Sequence, residues 1–377
     1  MNGRCCESRV SARSRSSAMA RRSWRSSPNT ATHSPQRFGH SLATSGSPTL
    51  GGDVRNDRDR TLARQHRRYL MNAPELHPDL DPALAEIVPD FTPEVLSQLR
   101  GNGLVGEQQL SDAVERTENT VSHDPPVVVR VHRPVDADGV LPCLFSIHGG
   151  GYVAGSYAMD DSSMDELCPK LGIVGVSVEY RLAPEHPYPA AIDDCEAALR
   201  WTIANAADLG IDAGKIGITG VSAGGGLCAA LGLRARDGGI PVRFQLLDCP
   251  MIDDTMTTAS SQLEGLAIWS KASNDFGWNA YLGSRRGGDV PADAAPARAT
   301  DLSGLPPSYV CVGGADGFRD EDITFAQRLM AAGVDTELHV YPGVPHGVRF
   351  WQGTEPARRY WADQVDWLSR QFAAMTD

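Results

Sequence analysis

Gly220-Val221-Ser222-Ala223-Gly224 sets a serine among glycines and other small residues. The run before it, Lys215-Ile216-Gly217-Ile218-Thr219, is largely apolar, and Gly226 to Arg236 is rich in Ala and Leu. This spacing predicts a strand-to-helix joint with Ser222 on the turn. A serine held on so sharp a turn exposes its hydroxyl at the end of a sheet, which suits a nucleophile. Alone, G-x-S-x-G is a weak signal, because a chain with 38 glycines meets it by chance. Its weight depends on what stands at the ends of the other strands.

His148-Gly149-Gly150-Gly151-Tyr152 follows directly on the apolar run Leu141–Ile147. Three glycines there let the chain turn tightly and present backbone N–H groups, which can bind a developing oxyanion. Phosphate is the competing ligand for such a turn, but the G-x-G-x-x-G and G-K-[ST] spacings are missing. His148 lies within the turn and reads as a brace for it. His346, in Tyr341-Pro342-Gly343-Val344-Pro345-His346-Gly347, follows the last expected strand and is the better general base. Asp316 is the first carboxylate after Tyr309–Val312 and is the candidate acid. Asp320, Glu321 and Asp322 read as the start of the next helix, where acidic side chains favour the positive end of the dipole.

These residues need a frame. Strands are expected at Val127–His132, Leu141–Ile147, Ile173–Tyr180, Ile216–Thr219, Phe244–Leu247, Tyr309–Val312 and Glu337–Tyr341. Helices are expected at Ala190–Ala207, Ala223–Ala235, Asp322–Ala332 and Pro356–Ala373. Such alternation implies a mostly parallel, doubly wound α/β sheet with helices on both faces. Two regions break the alternation. Residues 71–115 read as one or two helices, including Asp81–Val88 and Pro93–Leu99. Residues 255–300 are irregular and helical, with Trp269, Phe276, Trp278 and Tyr281. We expect the two to form a small helical cap over core segments 116–254 and 301–377.

Of 377 residues, 41% are apolar, enough for a sizeable core. Charge is divided unevenly. Residues 1–70 carry 14 Arg, no Lys and four acidic residues, a balance of +10, against −22 for the remainder. An acidic body argues against nucleic acid and anionic membranes as partners. No apolar run is long enough to span a bilayer. The Arg/Ser-rich stretch 1–70 is expected to be disordered. It could be read as a transit peptide, but the change of composition favours an upstream extension, with the natural start at Met71. The eight cysteines form no C-x-x-C pair and read as small buried hydrophobes in a reducing cytoplasm, not disulfides or metal ligands.

Taken together, five blocks resemble the hormone-sensitive-lipase-like family of α/β-hydrolase carboxylesterases. They are His148–Gly151, Tyr180-Arg181-Leu182-Ala183-Pro184-Glu185-His186-Pro187, Gly220–Gly225, Asp316-Gly317-Phe318-Arg319-Asp320-Glu321 and Tyr341–Gly347. The order Ser222, Asp316, His346 is that of α/β hydrolases. The resemblance starts near residue 75 and runs to the C-terminus. It implies a Ser222 nucleophile, a His346 base, an Asp316 acid and an oxyanion hole from the amides of Gly149 and Gly150. The elbow geometry adds Ala223. Arg181 and Glu185 then read as buried-pair residues bracing the site, not as reactants. Short- to medium-chain acyl esters are the implied substrates, with no metal or cofactor and, by family habit, a homodimer. Tyr152, Trp269 and Trp278 are candidates for the acyl pocket. A lactonase, amidase or deacetylase on the same three residues, or a small-molecule receptor on the same fold, are the competing functions. Val221, Gly317-Phe318 and Val348 depart from the residues usual in the family, which bears on the pocket and not on the reacting groups.

Overall fold

The computed structural model describes residues 74–80, 90–102 and 108–375. The extension 1–70 and the helix expected at Asp81–Val88 lie outside the described residues. Eight strands form one sheet: β1 (Val114–Val121), β2 (Val127–Pro134), β3 (Leu141–Ile147), β4 (Val174–Glu179), β5 (Ile211–Val221), β6 (Gln245–Asp248), β7 (Ser308–Gly313) and β8 (Thr336–Tyr341). Their order across the sheet is β1-β2-β4-β3-β5-β6-β7-β8. β2 runs antiparallel to both neighbours, and the six strands from β4 to β8 are mutually parallel.

Helices in chain order are α1 (Pro93–Asn102), α2 (Asp161–Leu171), α3 (Ala190–Ala204), the single turn α4 (Ala206–Leu209), α5 (Ala223–Gly238), α6 (Lys271–Leu282), α7 (Arg319–Ala331) and α8 (Glu355–Ala373). Successive strand residues point to opposite faces, and the core divides accordingly. Cys143, Phe145 and Ile147 of β3 join α3, α5 and α7 in one apolar cluster. Leu144 of β3 and Tyr309 and Cys311 of β7 join α2 and α8 in the other. The expected doubly wound arrangement is therefore present.

The expected strands all appear, with β5 extended at both ends. Two elements were not expected. β1 reads Val-Glu-Arg-Thr-Glu-Asn-Thr-Val, and only its terminal valines are buried. It is an edge strand whose pairing with β2, not its composition, makes it a strand. It begins inside the stretch read as cap. α2 carries Pro169, which reads as a helix breaker. Pro169 stands in the last turn, just before Gly172 closes the helix with φ 63°.

The two irregular regions meet. The Phe91 ring lies edge-on to Trp269 with centroids 4.9 Å apart. The Phe91 amide donates to Ser273 Oγ at 3.0 Å, and Ser270, the N-cap of α6, donates to Asp90. Arg181 and Glu185 do not pair with each other. Arg181 forks onto both oxygens of fully buried Asp194 at 2.7–3.1 Å, and its amide donates to the same carboxylate at 2.9 Å. Glu185, more than half exposed, meets Arg100 of α1 at 2.8 Å. Asp194→Ala would leave the guanidinium and an amide without their acceptor. The expected loss is about 3 kcal/mol, the lower end for a broken buried pair because Arg181 keeps some solvent. Urea unfolding measures it, and an unchanged midpoint would refute this role.

Candidate active site

β5 ends at Val221, and α5 begins at Ala223. Ser222 alone makes the turn, with φ 57° and ψ −120°, a conformation costing a residue with a Cβ about 1–3 kcal/mol. Hydrogen bonds on both sides hold it there. The Ser222 amide donates to Asp248 O at 2.8 Å. Its carbonyl accepts from Gly226 N at 3.0 Å and Met251 N at 2.9 Å. Asp248 is itself anchored by Tyr360 and by Gln364 Nε2 at 2.9 Å, both on α8.

The other two candidates come from the loops after β7 and β8. His346 Nε2 lies 2.9 Å from Ser222 Oγ, and His346 Nδ1 lies 2.8 Å from Asp316 Oδ2. The second Asp316 oxygen accepts from the Phe318 amide at 3.0 Å, which fixes the carboxylate's rotation. All three residues are buried, and the Phe318 ring stands edge-on to the imidazole at 5.0 Å. Such a line can move the serine proton to Nε2 while the carboxylate stabilises the resulting imidazolium.

The glycine turn lies against this line. A Cβ at Gly149 would stand 3.0 Å from Val221 O and 3.5 Å from Ser222 Cβ. Gly224, the second residue of α5, is pressed against the end of β3 and the start of the glycine turn. His148 braces the turn: its Nδ1 is 2.8 Å from Gly149 O, and its ring stacks on Tyr180 at 4.1 Å. Burial pulls its pKa down to about 4, so it stays neutral near pH 7. The Tyr180 hydroxyl donates to His148 O at 2.9 Å.

Of the candidate pocket residues, Trp269 is the one the structure brings to the imidazole, with centroids 6.5 Å apart. Its ring also covers the glycine turn, so a Cβ at Gly151 would fall 2.1 Å from Trp269 Cη2. Trp278 is fully buried. Its ring faces Tyr152 and Tyr281, not open space. Tyr152 is also buried, stacked on Tyr281 at 4.0 Å, with its hydroxyl donating to Met251 O at 2.7 Å. Tyr152 was marked by its place after the glycine turn and the tryptophans by their place in the expected cap, but which way a ring faces depends on its neighbours.

Sequence reasoning missed Glu321. It does stand in the first turn of α7 with Asp320 and Asp322. However, Glu321 is buried and its Oε1 accepts from the amides of Ile252 and Asp253, each at 3.2 Å. Burial, with Asp253 adding, pushes its carboxyl well above the usual range. It ties the acid-bearing loop to the segment that holds Ser222 O. Its place two residues past Arg319 in the fourth block was the only hint.

Residues 144–350, more than half of the chain, match the family model described as the alpha/beta hydrolase fold. The chain belongs to the α/β-hydrolase family. This hydrolase is 36% identical over 286 residues to carboxylesterase NlhH of Mycobacterium tuberculosis (strain ATCC 25618 / H37Rv), covering 72% of this chain and 89% of the relative. It is 38% identical over 238 residues to esterase LipI of the same strain, covering 62% and 74%. Among solved structures, a bacterial heroin esterase matches with a TM-score of 0.73 and 38% identity, over 78% of this chain and 98% of the other. These matches bear out the resemblance to hormone-sensitive-lipase-like carboxylesterases. Of the eight cysteines of this hydrolase, the six described ones are free and buried. No helix among the described residues is long and apolar enough to cross a membrane.

Proposed function

We propose that this α/β hydrolase is a serine carboxylesterase acting on short- to medium-chain acyl esters through an acyl-enzyme. The observation that carries this reading is the hydrogen-bonded line Ser222 Oγ–His346 Nε2 and His346 Nδ1–Asp316 Oδ2, at 2.9 and 2.8 Å. Ser222 Oγ attacks the ester carbonyl as Nε2 takes its proton. Asp316 holds the imidazole in the tautomer that leaves Nε2 free to accept. The tetrahedral oxyanion is received by the amides of Gly149, Gly150 and Ala223, each worth about a hundredfold or more in turnover. His346 then protonates the leaving alcohol, and water repeats the sequence to release the acid.

Two further proposals concern the surroundings. Residues 90–102 and 255–300 act as one cap, supported by the contacts of Phe91 and Asp90 with α6. The acyl chain runs under Trp269, with Tyr152 and Trp278 as the packed wall behind it. A cytoplasmic location accords with the free cysteines, and a homodimer accords with the family; fractionation and light scattering test these two.

A series of p-nitrophenyl esters from acetate to decanoate, set beside a matched lactone and anilide, tests the reaction and the pocket together. Activity on the anilide or lactone above that on the ester would overturn the ester assignment. Trp269→Ala should raise kcat/KM for decanoate relative to acetate by roughly tenfold, as added pocket length accommodates further methylenes. An unchanged ratio would remove Trp269 from the pocket.

A further inference from the structure

Cys249 follows β6 directly, at the strand end next to the loops that carry Asp316 and His346. Its Sγ, an Asp316 oxygen and a His346 ring nitrogen all lie within 4.8 Å of one another, and all three residues are buried. Its own backbone is fixed by a hydrogen bond that its amide donates to Cys311 O at 2.8 Å and by a φ of 39°. The proposed hydrolysis gives this thiol nothing to do.

We propose that Cys249, Asp316 and His346 form an inhibitory binding site for a thiophilic divalent cation of the zinc type. Sulfur, imidazole and carboxylate together are a zinc-like donor set, whereas magnesium and calcium take oxygen donors. Three atoms so spaced surround a point no more than roughly 2.8 Å from each, and bonds of about 2.0–2.3 Å need only a small contraction. The Asp316–His346 pair would open from its hydrogen-bond distance to roughly 3.3 Å, as tetrahedral bonds require. A thiolate and a carboxylate balance the two positive charges.

The chemistry balances. On binding, the Cys249 thiol gives its proton to solvent and forms the sulfur–metal bond. The cation takes Nδ1 of His346, and the proton there moves to Nε2. Nε2 then donates to Ser222 Oγ and can no longer accept its proton, so the base is lost without any change in Ser222. The site rests on geometry alone; its effect on turnover rests on the esterase reading above.

The test uses the full chain, stripped with EDTA. Zinc chloride should lower p-nitrophenyl butyrate hydrolysis by at least about tenfold, and EDTA should restore it. Cys249→Ser and Cys249→Ala should keep the metal-free rate within about twofold and need at least about tenfold more zinc for the same loss. Cadmium supplies a readout independent of turnover: its thiolate charge-transfer band should be weaker in Cys249→Ala than in the wild type. Equal zinc sensitivity in all three proteins, or identical cadmium spectra, would overturn the site. Absence of hydrolysis in EDTA would instead overturn the esterase reading, with the cadmium band still reporting on the site.

Discussion

Ser222→Ala is expected to lower kcat on p-nitrophenyl butyrate by about a millionfold, leaving only what an oxyanion site and binding supply. The size of the effect follows from the concerted roles of the three groups. Without Oγ, neither the imidazole at 2.9 Å nor the carboxylate behind it has a proton to move. His346→Ala should therefore cost a similar factor, and the double variant hardly more. Asp316→Asn should cost about ten-thousandfold, since the amide can hold the wrong tautomer. Labelling by a fluorophosphonate should vanish in Ser222→Ala. Labelling that persists at another residue, or activity above about 1% with an unchanged unfolding curve, would refute the assignment of the nucleophile. The alanine also relieves no backbone strain, because the φ of 57° is imposed by the flanking hydrogen bonds and not by the hydroxyl.

Gly224→Ala is expected to be the most damaging single-methyl addition near the site. A Cβ at 224 would lie 2.0 Å from Ile147 O and 2.4 Å from His148 O. Both are backbone atoms, one at the end of β3 and the other at the start of the glycine turn. Neither can swing aside as a flexible side chain would. α5 must shift away from β3, or the loop of Gly149 and Gly150 must move off Ser222. The expected destabilisation is about 3 kcal/mol or more, the upper range for overpacking. In a protein of this size that shifts Tm down by roughly 4–5 °C. Turnover should fall at least about a hundredfold, as if an oxyanion donor were withdrawn. Thermal unfolding beside ester hydrolysis separates the two effects. A variant with wild-type Tm and activity would show that the elbow and the glycine turn are not locked together in solution.

Much of the frame was legible because strands in such a sheet read as short apolar or alternating runs, and those runs predicted seven of the eight strands. β1 escaped because an edge strand with one solvated face needs few apolar residues, and β2 supplies its partner. α2 escaped because Pro169 reads as a helix breaker, and only the packed helix shows that it stands two residues before the end, where few turns remain to be disrupted. Arg181 and Glu185, four residues apart in one block, were read alike, yet one is locked on buried Asp194 and the other meets Arg100 near solvent. Their partners lie 13 and 85 residues away in the chain, and no local pattern encodes that pairing.

The sequence by itself determined the candidate chemistry. Ser222, Asp316 and His346 each stand just past a strand, and parallel strands connected in one direction bring such ends to one edge of the sheet. Their spacing to within hydrogen-bond reach, the burial of Glu321, the inward turn of Trp278 and Tyr152 and the approach of Cys249 to the imidazole were decided only by the tertiary structure. These depend on how loops from different strands pack against each other. Such contacts arise from the shapes of many residues at once, whereas the strand pattern depends on neighbours along the chain.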